Sequence, residues 1–181
     1  MTLSPQIIKP VTPDRPDGRQ PSRGADILDR IDRKILFELQ RNATIPIAQL
    51  AERVGLSQTP CWKRVQKLEQ AGVILGRVAL VDPSKIGLGL MVFVEVAAMD
   101  HSPAWRDRFA EVVSSLPEVV DVFRMAGEVD YLLRVVVEDM ARFDAFYKHL
   151  TSEIGLKSVT SKFTMETIKT TTAFPINTSE R

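Results

Sequence analysis

The apolar residues of this chain begin to repeat in a regular way at Leu28. Leu28, Ile31, Ile35, Leu36 and Leu39 recur at helical spacing, and Asp29 followed by Asp32 suits a capped, acidic first turn. A second helix is expected from Ile47 to Val54, with Pro46 at its start and Ile47, Leu50, Ala51 and Val54 on its apolar face. Gly55 offers a C-cap, and Leu56 an apolar turn residue. Ser57 then caps a third helix running to about Gln70, with Pro60 in its first turn, Gly72 at its end and Cys61, Val65 and Leu68 as its inward stripe. A short helix, a glycine turn and a second helix with a polar outer side have the spacing of a helix-turn-helix.

Beyond it the period changes. Residues 74–82 read as a strand leading out of the helical unit, and 83–89, which are turn-rich, as a hinge. Residues 90–98 (LMVFVEVAA) read as a strand, and a helix follows from Ser102–Pro103 to about Leu116 with Trp105, Phe109, Val112 and Val113 inward. Residues 119–125 and 130–137 read as strands joined by the short turn Ala126, Gly127 and Glu128. Asp139 caps a helix with Met140, Phe143, Phe146, Tyr147 and Leu150 inward, and 159–170 read as a last strand. The order βαββαβ is the ferredoxin-like arrangement, with two helices on one face of an antiparallel sheet. The fold class is therefore α+β, with domains expected at 27–82 and 90–176 and tails at 1–26 and 177–181. The other sheet face needs a cover, and a second subunit is the simplest one, so a homodimer is expected.

Charge sharpens this picture. Residues 28–77 hold nine Lys/Arg against five acids, a net of +4, while 82–172 hold ten against fourteen, a net of −4. That separation suits a first segment that meets a polyanion and a second that does not. Five of the eleven prolines fall in residues 1–26, which read as a disordered tail. The start lacks a secretory layout, no apolar run would span a bilayer, and the single cysteine suits a reducing cytosol, so a cytoplasmic, nucleoid-associated protein is expected.

On the third helix Ser57, Gln58, Thr59, Trp62, Lys63, Arg64 and Lys67 are candidates for DNA contact. Gln58 to Lys63 are placed for base edges, and Arg64 and Lys67 for phosphates. Trp62 can face DNA or pack on the first helix, and the residues alone leave both open. Cys61, on the inward stripe, behaves as a small hydrophobe rather than a redox sensor. His101 and His149 are far apart in sequence with no ligand cluster beside them, so neither a metal nor another cofactor is expected.

Several strings are recognisable: LDRIDRKILFELQ, LAERVGLSQTPCWKRVQKLEQAGVI, DPSKIGLGL, RMAGEVDYLLRV and TMETIKTTTAFPI. Over about residues 27–175 the chain resembles the Lrp/AsnC family of transcription regulators, and within it the cysteine-responsive, DecR-type subgroup. That resemblance implies a winged helix-turn-helix joined to a ferredoxin-like effector domain. It also implies dimers through the sheets, commonly assembled to octamers, with an amino acid bound between effector domains. For the subgroup it implies L-cysteine as effector and control of cysteine degradation or detoxification. The family's effector loop maps onto Met125, Ala126, Gly127, Glu128, Asp130 and Tyr131. An amino-acid zwitterion needs amide donors for its carboxylate, which Gly127 lets approach closely, and an acceptor for its ammonium, for which Asp130 or Glu128 would serve.

Three alternatives stay open at this point. In the first the effector is leucine, methionine or another amino acid; in the second the protein is architectural, without effector response; in the third the loop is a bare hairpin. An enzyme is not expected, since no nucleophile-base pair, phosphate loop or metal cluster is in the sequence.

Overall fold

The computed structural model describes residues 28–179. The expected tail at 1–26 lies outside the described residues, as do 180 and 181. The chain forms two compact units: residues 28–79 with 170–179, and Leu80–Lys169. The first unit's main segment ends at Ala79, ahead of the expected hinge at 83–89, and 170–179 group with it by compactness.

The first unit is built on α1 (Arg30–Leu39), α2 (Ile47–Val54) and α3 (Gln58–Gln70). A capping box opens α1: the Asp32 amide donates to Asp29 Oδ1 at 2.8 Å, and the Asp29 amide to Asp32 Oδ2 at 3.4 Å. Pro46 occupies the N-cap of α2, and Gly55 closes that helix in the left-handed region at φ 76°, with its amide and that of Leu56 returned to the last helical carbonyls. Ser57 stands at the N-cap of α3, but its side chain makes no capping bond. The three helices bury one core around Ile35, Leu50, Val54, Cys61, Val65 and Leu68. Each large aliphatic there contributes about 1.5–3 kcal/mol of transfer free energy.

Residues 75–82 do not form the strand expected of 74–82. Leu75, Val78, Leu80 and Val81 are exposed, and the segment has no strand partner among the described residues. Alternating apolar residues favour extended backbone, but a strand exists only when a neighbour accepts its hydrogen bonds.

The second unit runs β1 (Leu90–Ala98), α4 (Pro103–Ser115), β2 (Val119–Arg124), β3 (Tyr131–Val137), α5 (Met140–Glu153) and β4 (Leu156–Phe163). The sheet order is β2-β3-β1-β4 with every pair antiparallel, the ferredoxin-like arrangement. The last strand starts three residues before the expected 159 and ends at Phe163. Beyond it only the Thr164 amide still reaches β1, donating to the Met91 carbonyl.

Register sets the two faces. Val92, Val94 and Val96 stand opposite Val135, Leu133 and Tyr131 and, with Phe109, Phe143, Phe146 and Leu150 of the helices, form the core. Met140, expected inward, is 56% exposed at the first residue of α5. The other face carries Phe93 opposite Arg134 and Lys162, Glu95 opposite Leu132, and Phe123 opposite Leu132. Two ion pairs cross it, Arg134 with Asp121 and Lys162 with Glu95. Among the described residues no helix is long and apolar enough to cross a membrane.

Candidate DNA-binding surface and effector loop

The glycine turn aims α3. Its inner stripe, Cys61, Val65 and Leu68, is buried, so the helix turns Gln58, Thr59, Trp62, Lys63 and Lys67 outward, where all five are exposed together with Ser57 at the cap. Trp62 lies on the outer side of the helix, beside the first helix's end. It is 52% exposed, and it also lines a hollow of about 200 Å³ with Leu39, Ala43, Ile45, Ile47 and Val65.

Arg64 makes an ion pair that the sequence does not announce. Its Nη1 lies 2.5 Å from Asp29 Oδ2 and 2.8 Å from Asp32 Oδ1, joining α3 to the start of α1. Asp32 is only 3% exposed and is the charged residue buried among the described residues of this unit. The two carboxylates raise the Arg64 pKa. Burial pulls the Asp29 pKa up, yet the Asp32 amide and the Arg64 guanidinium outweigh it and hold it below the usual carboxylate range. Arg64 thus ties α3 to α1 through these two carboxylates, with 34% of its side chain still exposed. The sequence carries no sign of this, because residues 29, 32 and 64 meet only once the helices pack.

Two further cations are paired on the same unit, Arg53 with Glu38 at 2.7 Å and Arg77 with Glu69 at 2.9 Å. Arg41 lies over the Phe37 ring, 3.4 Å from its centroid. Four of the five acids counted in this segment are neutralised this way, which leaves the outer side of α3 positive through Lys63 and Lys67. Cys61 is fully buried and its thiol pKa is pushed up by that burial, away from redox chemistry.

The loop expected to hold the effector joins β2 to β3. Met125, Ala126, Gly127 and Glu128 are exposed, with Gly127 at φ 142°, a backbone that a side chain would strain. Asp130 holds the loop: its carbonyl accepts from the Met125 amide at 2.8 Å, its amide donates to the Val96 carbonyl at 3.0 Å, and its Oδ2 accepts from the Ala98 amide at 2.8 Å. Its other oxygen, Oδ1, faces His101 Nδ1 at 3.7 Å. The Tyr131 ring turns away from the loop. It is buried on the helix side, 4.3 Å from the Phe109 ring and 5.9 Å from Trp105, because β3 alternates and Tyr131 shares the face of Leu133. His101 was outside the expected set; it comes to the loop only through the pairing of β1 with β3. Among the described residues no cluster of His, Cys, Asp and Glu could hold a metal.

A helix-turn-helix with a polar, basic outer side, followed by a ferredoxin-like unit with a small-residue loop at a sheet end, defines a DNA-binding regulator with a ligand-binding domain. Residues 28–74 match the winged helix-turn-helix DNA-binding family, and 91–174 match the Lrp/AsnC ligand binding domain. The chain belongs to the Lrp/AsnC family. It is 54% identical over 151 residues to the DNA-binding transcriptional activator DecR of Escherichia coli, covering 83% of this chain and 99% of that one. An AsnC family transcriptional regulator from Agrobacterium tumefaciens superposes with a TM-score of 0.79 at 55% identity, over 82% of this chain and 97% of the other. A transcriptional regulator from Neisseria meningitidis solved with L-Met gives the same TM-score at 39% identity, over 83% and 97%. Membership makes this chain a DNA-binding transcription regulator with an amino-acid effector, not an enzyme.

Proposed function

We propose that the chain responds to L-cysteine and controls a gene for cysteine degradation or detoxification. The likeness to DecR across nearly that protein's whole length, effector loop included, carries this reading. The loop chemistry agrees with it. Exposed Ala126 and Gly127 leave room for a compact ligand and its carboxylate, and Asp130 Oδ1 or Glu128 accepts the ammonium. L-Methionine is the competing effector, favoured by the Neisseria meningitidis regulator solved with that amino acid. Calorimetric titration of the purified protein with cysteine, methionine and leucine decides between them, and no heat with cysteine sinks the proposal.

The open sheet face is half apolar, and a second copy placing its own Phe93, Leu132 and Phe123 against it would cover them, giving a dimer that assembles further to octamers. Each dimer presents two α3 helices to half-sites one helical turn, or a multiple of it, apart. Gln58, Thr59, Trp62 and Lys63 meet base edges; Ser57 and Lys67 meet phosphates. Effector binding between effector domains shifts the population between assemblies that differ in the spacing of those helices. Mobility shifts on the DNA upstream of the chain's own gene, with and without cysteine, test this coupling; identical shifts would favour an architectural protein.

A further inference from the structure

We infer that residues 170–176 are a strap through which the sheet unit acts on the DNA-binding unit. The chain leaves the helical unit at Ala79, builds the sheet, and re-enters the helical unit at Thr170. The units are therefore joined by two covalent connections, one at each end of the sheet's sequence. The second starts where β4 stops. Met165 and Ile168 within it are 96% and 89% exposed, so these side chains do not pack.

The strap then docks. The Phe174 amide donates to Gln40 Oε1 at 2.7 Å, and Gln40 Nε2 donates to the Phe174 carbonyl at 3.4 Å. One side-chain amide thus satisfies both polar groups of one backbone residue, as a neighbouring strand would. Pro175 holds a three-residue turn closed by the Ile176 amide on the Phe174 carbonyl at 2.9 Å, and Ile176 packs against the helical core. Gln40 is the C-cap of α1, so the strap grips the end of the helix whose other end is tied to α3 through Arg64. One bidentate amide and one half-buried isoleucine make a weak grip, which suits a contact that is made in one state and released in another. While it is made, the sheet unit is tethered to α1 through β4 as well as through Ala79; once it is released, only the connection after Ala79 remains.

The test uses the full chain and the variants Gln40→Ala and Ile176→Ser, with Met165→Gln as a control in the exposed stretch. In the wild type the Phe174 amide should exchange with deuterium at least about tenfold slower than an unstructured amide, and each strap variant should remove that protection. The dissociation constant for the DNA upstream of its own gene should shift about threefold or more in both strap variants without any amino acid, and not in the control. Its dependence on saturating L-cysteine should fall toward one, while the calorimetric affinity for cysteine is retained. Only this last comparison rests on the cysteine reading: absence of heat in the wild type would sink that reading and leave the exchange and ligand-free measurements to judge the strap. An unprotected Phe174 amide in the wild type overturns the strap, as do strap variants whose DNA affinity matches the control.

Discussion

Replacing Arg64 with alanine distinguishes a folding role from phosphate contact. The substitution strands the Asp32 carboxylate, 3% exposed, without its cation at 2.8 Å. Removing one partner of a fully buried pair costs about 3–5 kcal/mol. Here the cost is smaller, because 34% of the Arg64 side chain and 52% of the Asp29 side chain are exposed and screened by water. The Asp29 amide also stays on Asp32 Oδ2. A loss of about 2 kcal/mol follows, which lowers the melting temperature by about 4–8 °C for a chain of this size. Circular dichroism melts at neutral pH measure it, with DNA affinity taken separately at a temperature where the variant stays folded. Adding Asp32→Asn to Arg64→Ala removes the stranded charge and should restore most of the loss. An Arg64→Ala protein that melts with the wild type but binds DNA more weakly would refute the folding role and return Arg64 to the phosphates.

Lys67→Ala should leave the melting temperature unchanged, weaken binding to every DNA sequence, and lower the slope of log affinity against log salt by about one; Gln58→Ala or Thr59→Ala should instead change which sequence is preferred, and identical behaviour of the two sets would mean that α3 is turned the other way. Because the folded pKa of Asp29 lies below its unfolded value, its contribution is complete above the ordinary carboxylate range and is lost as pH falls through the lower folded value. The urea midpoint of the wild type should therefore drop between about pH 5 and pH 2 more steeply than that of Asp29→Asn, which keeps the capping acceptor; parallel curves would rule the pairing out. Cys61 should react with a thiol reagent far more slowly in the native protein than in denaturant, and Cys61→Ser should cost about 1–3 kcal/mol by burying a hydroxyl among apolar side chains. Equal labelling rates would show the thiol to be accessible.

Most of the helical unit was legible because its signals are local. Periodicity placed α2 with its limits, Gly55 stopped it with a left-handed residue, and the Cys61, Val65 and Leu68 stripe oriented α3. The sheet's order of elements was legible for the same reason, and its strands β2 and β3 fell within a residue of expectation. The misses share a cause. Residues 74–82 look like a strand, but the pairing that makes a strand comes from a neighbour no local pattern contains. Tyr131, placed with the effector loop by the resemblance, stands in β3, whose alternation turns its ring to Phe109.

The amino-acid sequence by itself determined a helix-turn-helix followed by βαββαβ, the basic outer side of α3 and the family, since propensity, capping and hydrophobic period act over a few residues. Only the tertiary structure decided that Arg64 serves Asp29 and Asp32, that Asp130 braces the loop against Ala98, and that 170–176 return to Gln40. These contacts join residues 32 to 134 positions apart, and whether a charge or an amide is free for a ligand depends on which distant partner packing has brought to it.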